Sequence, residues 1–252
     1  MDRNRSIETL HRMKRNGRKI VAVVLYDYQL ARIADDAGVD LVSVGDSVGV
    51  TLWGHASEAD ITLDQMTLVC HGVRRGVTRA LVSCDVPLAA LQDGAETAVQ
   101  AARRLVDRGG ADLVKIDAVA ASVDAVRAVA QAGIPVWAQF GAELETDGQA
   151  LDRLTRQAQQ LEQAGASLLD FRHSGPMVGP VVVASVKLPV IGGLGGGPWL
   201  DGRVRSLANA LGYLASSVDD SKARYASIAA SALSAIGALC DDVRAARPLR
   251  GE

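Results

Sequence analysis

One junction recurs along this chain: an alanine-rich segment of helical period ends in a glycine, and a β-branched run follows within two or three residues. Five copies read ADDAGVDLVSVGDS around Gly38, VRRGVTRALVSCD around Gly76, VDRGGADLVKID around Gly110, AQAGIPVWAQF around Gly133 and EQAGASLLDF around Gly165. A glycine in this place is expected at a helix C-cap, where a positive φ carries no Cβ penalty. The runs that follow are short stretches of Leu, Val and Ile with few polar interruptions, which suits parallel strands buried on both faces. Spacings of 23 to 38 residues between the glycines are too irregular for a solenoid and natural for βα units with loops of varied length. The pattern predicts the α/β class.

Strands are expected at 19–25, 40–45, 80–84, 112–116, 134–138, 167–171, 188–192 and 203–207. Eight strands alternating with helices make a (βα)8 TIM barrel, and 252 residues are the usual length for one such domain. An open doubly wound sheet would carry GxGxxG after its first strand, where this chain has LYDYQLA. The expected organisation is a single domain over 1–252, with the barrel at about 19–212 and an alanine-rich C-terminal helix at about 221–245. With 27 basic against 29 acidic residues, the chain lacks the basic excess of a nucleic-acid binder, and a small-molecule partner is expected. It has neither an apolar run of about 18 residues nor an apolar segment behind its basic start, so a cytoplasmic protein with no membrane partner is expected. Cys70, Cys84 and Cys240 are widely spaced and read as reduced thiols.

Residues at the C-terminal ends of barrel strands line the active-site mouth. Here those positions carry Tyr26-Asp27-Tyr28, Asp46-Ser47, Asp85, Lys115 and Asp117, Gln139, and Asp170 with Arg172. Asp46 and Asp85, converging from adjacent strands, form a platform for a hard divalent cation, and oxygen-only ligation favours Mg²⁺; the alternative is that each caps a helix or binds loop amides. Lys115 interrupts an apolar strand and needs an anionic ligand or a carboxylate, Asp85 or Asp117. The glycine run 192–197 is either a phosphate cradle or a tight turn. His55, His71 and His173 lack zinc-ligand spacing.

Taken together, these strand ends resemble the ketopantoate hydroxymethyltransferase family, within the phosphoenolpyruvate mutase and isocitrate lyase group of barrels. The resemblance covers roughly 20–212 and is carried by YDYQLARIADDAGVDLVSVGDSVGV, GHASEADITLDQM, CDVP, VKID, AGIPVWAQFG and GGLGGGPWLDGRV, with a looser echo in ARYASIAASAL. It implies a homo-oligomer, decameric in the family, that adds a hydroxymethyl group from 5,10-methylenetetrahydrofolate to a 2-oxo acid through an enolate stabilised by Mg²⁺. It further implies Asp46 and Asp85 as metal ligands, Ser47 at the substrate carboxylate and Lys115 in the keto-acid pocket.

Three positions depart from the family pattern. Asp117 stands for a glutamate one methylene longer, and Gln139 replaces a histidine. Arg172 occupies the place of the glutamate that serves as base, and a guanidinium cannot accept a proton. The segment after Gly141 is also shorter than the family's. Arg172 either pairs with Asp170 or grips a second anionic group on the substrate; the enolate then forms by loss of CO₂ from a carboxylate β to the ketone, or Asp117 or a water takes the proton. Three functions stay open: one-carbon transfer, a metal-dependent carbon–carbon lyase or aldolase step on a more anionic 2-oxo acid, and a non-catalytic keto-acid-binding homologue.

Overall fold

The computed structural model describes residues 6–119, 123–141, 150–193 and 195–251, grouped in two compact units, Met1–Val204 and Arg205–Glu252. The strands are β1 (Ile20–Val24), β2 (Leu41–Val44), β3 (Leu81–Asp85), β4 (Leu113–Asp117), β5 (Val136–Phe140), β6 (Leu168–Phe171), β7 (Val190–Gly192) and β8 (Gly202–Ser206). They pair in chain order, all parallel, in a closed eight-stranded barrel. This is the expected TIM barrel, and each expected strand lies within two residues of an observed one. Helices fill the connections from β1 to β7; between β7 and β8 the described residues hold only turns, closed by Gly196 N–H to Gly193 O and Leu200 N–H to Gly197 O. The glycine run is therefore a turn rather than the start of a helix.

Of the five junction glycines, Gly38, Gly110, Gly133 and Gly165 take positive φ, as a helix C-cap requires. Gly76 differs. It closes the helix Leu63–Gly76, and a Cβ there would lie 2.7 Å from Tyr28 O and 2.8 Å from Ala31 Cβ, so what it provides is close approach of two helices. Gly202 serves the barrel similarly: a Cβ would meet Ile20 O at 2.5 Å, while Ile20 N–H bonds Asp201 O at 2.9 Å where β8 meets β1.

Helix α1 (Ile7–Arg15) begins at a capping box between Ser6 and Thr9 and buries Leu10 and Met13. Those two side chains join one apolar cluster with Ile20, Leu41, Leu81, Leu113 and Leu168, each at the start of a strand. Thus α1 plugs the N-terminal end of the barrel. Lys14 pins it there, with Nζ 3.0 Å from Asp201 Oδ2 and bonded to the carbonyls of Val183, Val186 and Leu188. Aspartates at the same end satisfy backbone donors: Asp40 accepts from Val21 N–H, Asp112 from Val82 N–H and Asp201 from Val190 N–H, at 2.8–2.9 Å. Asp35, near the end of α2 (Tyr28–Ala37), accepts from the backbone of Thr78, Arg79 and Ala80, just ahead of β3.

In the second unit the long helix spans Ile228–Arg244, starting later than 221. Asp220 explains the delay, since its carboxylate accepts from Lys222 N–H and Arg224 Nη2 and offers that stretch an alternative to helix. Leu233, Ile236, Leu239 and Val243 on this helix are exposed. No helix among the described residues is long and apolar enough to cross a membrane. Cys70, Cys84 and Cys240 are free thiols, the first two buried.

Candidate active site

With α1 closing one end of the barrel, the strand C-termini open the other. There a cavity of about 270 Å³ is lined by Val24, Ser43, Gly45, Asp46, Ser47, Glu58, Asp85, Val86, Lys115, Asp117, Gln139 and Arg172. Of the strand-end residues singled out from the sequence, Asp46, Ser47, Asp85, Lys115, Asp117, Gln139 and Arg172 line this cavity, and Tyr26, Asp27, Tyr28 and Asp170 do not.

Two carboxylates are set by the chain around β2. Gly45 follows that strand without a side chain, and a Cβ there would crowd Val24 Cγ1 at 3.0 Å and Ser47 Oγ at 3.1 Å. The next two amides turn toward the acids: Asp46 N–H favours the ionised Asp85 carboxylate, and Ser47 N–H that of Asp46, each against burial. Asp85 Oδ1 is buried with no hydrogen-bond partner. Burial, opposed by the Lys115 ammonium and reinforced by the charge of Asp46, pushes the Asp85 carboxyl up to about 7. Burial raises Asp46 as well, against Lys115. Neither side chain caps a helix in the manner of Asp27, whose Oδ1 accepts from Leu30 N–H at the start of α2.

Lys115 rises from β4 into this acidic ground. Its Nζ lies 3.0 Å from Asp170 Oδ2 on β6 and 4.0 Å from Asp85 Oδ2, and 5.3 Å from the centre of the Trp137 ring. Burial disfavours the ammonium, but Asp85 and Asp170 outweigh it and hold its pKa above the usual lysine value. Pairing with Arg172 is one of two sequence alternatives for Asp170; the structure gives it to Lys115. On β6, Asp170 lies in register with Gln139 of β5 and Asp117 of β4, and its buried carboxylate reaches back to Lys115. Asp117, the other suggested partner of Lys115, accepts from Val119 N–H at 2.9 Å.

Ser47 begins the helix Val48–Trp53 without a side-chain cap, and its Oγ instead meets Tyr26 Oη at 2.8 Å. Burial raises the Tyr26 phenol, so its proton stays available for that bond. Arg172 is exposed at the mouth and, among the described residues, has no hydrogen bond or ion pair from its guanidinium. It also lines a second cavity of about 150 Å³ with Gln139, Asp170 and His173, the last in a left-handed conformation at φ 51°. The segment 142–149 after Gly141 lies outside the described residues.

Glu58 is the charged lining residue that the sequence analysis does not single out. It stands in a single 3₁₀ turn, Glu58–Asp60, fixed by reciprocal bonds of Ala59 N–H to Ser57 Oγ at 3.1 Å and Ser57 N–H to Asp60 Oδ2 at 3.0 Å. The signal was present as S-x-x-D in the loop after β2, the loop class that builds a barrel's mouth.

Asp46 and Asp85 are, with Glu58 and Asp117, the carboxylate oxygen donors lining the cavity. No group of three or more His, Cys, Asp or Glu arranged for a metal occurs among the described residues. Two carboxylates leaving further positions to water and substrate oxygens suit Mg²⁺, which keeps much of its hydration shell.

A sequence profile of ketopantoate hydroxymethyltransferase matches residues 4–247. A 3-methyl-2-oxobutanoate hydroxymethyltransferase of Anaeromyxobacter dehalogenans is 34% identical over 95% of this chain and 83% of its own. One from Geobacillus kaustophilus is 33% identical over 92% and 87%. Among solved structures, a phosphoenolpyruvate phosphomutase from Streptomyces platensis superposes with a TM-score of 0.66 at 15% identity, covering 96% of this chain and 89% of that one. A phosphonopyruvate hydrolase, in complex with oxalate and Mg²⁺, gives 0.64 at 13% identity over 98% and 89%. A 2,3-dimethylmalate lyase of the PEP mutase/isocitrate lyase superfamily gives 0.63 at 19% over 79% of each.

Proposed function

Since this chain belongs to the ketopantoate hydroxymethyltransferase family, we propose that it transfers a hydroxymethyl group to C3 of a 2-oxo acid by way of the acid's enolate. The supporting observation is the convergence of Asp46, Ser47, Asp85 and Lys115 on one cavity. The orphaned, buried Asp85 Oδ1 beside a second carboxylate fits a Mg²⁺ site, which Asp46 and Asp85 would hold. When bound, the ion supplies Lewis acidity at the 2-oxo group.

The rest falls to the chain's own side chains. Ser47 Oγ, oriented by Tyr26, donates to the substrate carboxylate. Lys115, kept charged by Asp170, offsets negative charge developing on the 2-oxo oxygen as the C3 proton leaves. Gln139 offers an amide donor that does not titrate, and Asp117, braced by Val119 N–H, is a hydrogen-bond acceptor on the same wall. The one-carbon donor is 5,10-methylenetetrahydrofolate, and the protein acts as a homo-oligomer in the cytoplasm.

A second reading is favoured by Arg172, whose guanidinium is uncommitted at the mouth. It would grip a further carboxylate or phosphate on a more anionic 2-oxo acid and turn the same platform to a carbon–carbon lyase or aldolase step. The deciding experiment follows C3 deuterium exchange by NMR for 2-oxoisovalerate and for dianionic 2-oxo acids with Mg²⁺, then adds methylenetetrahydrofolate. Exchange followed by hydroxymethylated product supports the first reading. Cleavage of a dianionic acid, lost in Arg172→Glu, supports the second. Absence of both exchange and cleavage for every acid tried would leave a binding protein.

A further inference from the structure

Enolate formation needs a proton acceptor, and at position 172 stands a group that cannot be one. Four carboxylates line the main cavity: Asp46, Glu58, Asp85 and Asp117. Asp46 and Asp85 share the backbone N–H groups that follow Gly45 and are the pair read above as metal ligands. Asp117 is turned to Val119 N–H at 2.9 Å. Of the two carboxylates not read as metal ligands, Glu58 has, among the described residues, no hydrogen bond or ion pair to its carboxylate. Asp170 faces the neighbouring cavity and is engaged by Lys115 at 3.0 Å.

We infer that Glu58 is the catalytic base of this enzyme, a carboxylate supplied from the loop after β2 in place of one on β6. This assignment rests on the enolate reading of the site. The proton step balances without any further reagent. The C3–H bond breaks, its electron pair becomes the C2–C3 double bond, the former C2=O pair settles on oxygen, and the proton passes to Glu58.

Three features suit Glu58 to this task. The Ser57–Asp60 capping box fixes its turn without using its side chain. The charged and titratable groups around it are Asp46 from the end of β2, Arg172 from β6, Lys115 from β4 and Tyr26 from β1. Desolvation of its carboxylate at the cavity and the charge of Asp46 hold its carboxyl above the usual range, while Arg172 and Lys115 keep it from rising further. A base strengthened in this way accepts a proton more readily than an ordinary glutamate.

The test compares wild type with Glu58→Gln, an isosteric change at an exposed site that leaves the capping box untouched. Two quantities are read with Mg²⁺ present: the Kd for 2-oxoisovalerate by calorimetry and the rate of its C3 deuterium exchange. The assignment expects Kd within about threefold of wild type and exchange slowed about 100-fold or more, the usual scale for a lost general base. Exchange within threefold of wild type would overturn it, and so would a loss of binding matching the loss of exchange, which would make Glu58 a binding group. Wild type that binds the acid without exchanging it would instead overturn the enolate reading, and the base with it. Asp117→Asn is measured alongside: if it abolishes exchange with binding intact while Glu58→Gln does not, the base is Asp117.

Discussion

Lys115 shows how much one side chain can be asked to do in a barrel mouth. A lone ammonium on an apolar strand is costly, and the sequence shows that it needs an anion without showing which one. The structure supplies two, Asp170 at 3.0 Å and Asp85 at 4.0 Å, so the cation is both satisfied and aimed at the cavity. Lys115→Met is expected to lower turnover about 100-fold, the scale for losing a preorganised electrostatic partner, and steady-state turnover within twofold of wild type would reduce Lys115 to a structural ion pair. For the paired acids the expectation differs. Asp46→Ala and Asp85→Ala should each abolish calorimetric Mg²⁺ binding while costing little stability, since the two carboxylates repel one another in the metal-free protein. Unchanged Mg²⁺ affinity in both variants would exclude them as ligands. Residue types at strand ends made this set legible in advance. Glu58 escaped because it comes from a loop 14 positions past Val44, where no periodicity marks a side chain as facing inward.

At the scale of elements, the same residue type does opposite work at the two ends of the strands. Asp40, Asp112 and Asp201 are consumed by backbone N–H groups, whereas Asp46 and Asp85 face a cavity. Strand direction separates them, and that direction was readable from the glycine-to-strand junctions. What those junctions could not convey was α1, whose polar-looking sequence hides two core side chains, Leu10 and Met13. Asp35 offers a measurable case. Burial would raise its carboxyl, but hydrogen bonds from Ala80, Thr78 and Arg79 prevail and bring it down to about 2 from an ordinary 3.8. A depressed folded-state pKa contributes stability above the unfolded value and loses it as pH falls through the folded one. Asp35→Asn should therefore cost about 2 kcal/mol in urea denaturation at pH 7. The gap from wild type should close between pH 4 and pH 2. A gap independent of pH would mean that the charge is not what matters.

For the whole molecule, the helix Ile228–Arg244 leaves Leu233, Ile236, Leu239 and Val243 exposed, more apolar surface than one helix of a monomer ordinarily shows to water. With the alanine content read from the sequence, this supports assembly into a homo-oligomer. Light scattering at micromolar concentration should return a multiple of 26.4 kDa, and the monomer mass itself would refute it.

The plug formed by α1 has a consequence for how this protein can change. It gathers the determinants of folding at the base of the strands and leaves the chemistry at their tips, so the two sets of residues share few neighbours. Substitutions from the two ends should then combine additively. In a double variant of Asp35→Asn and Lys115→Met, the loss in unfolding free energy and the loss in turnover should each match the single variants. A mouth that varies without endangering the barrel leaves the fold indifferent to which strand end or loop supplies a reacting side chain.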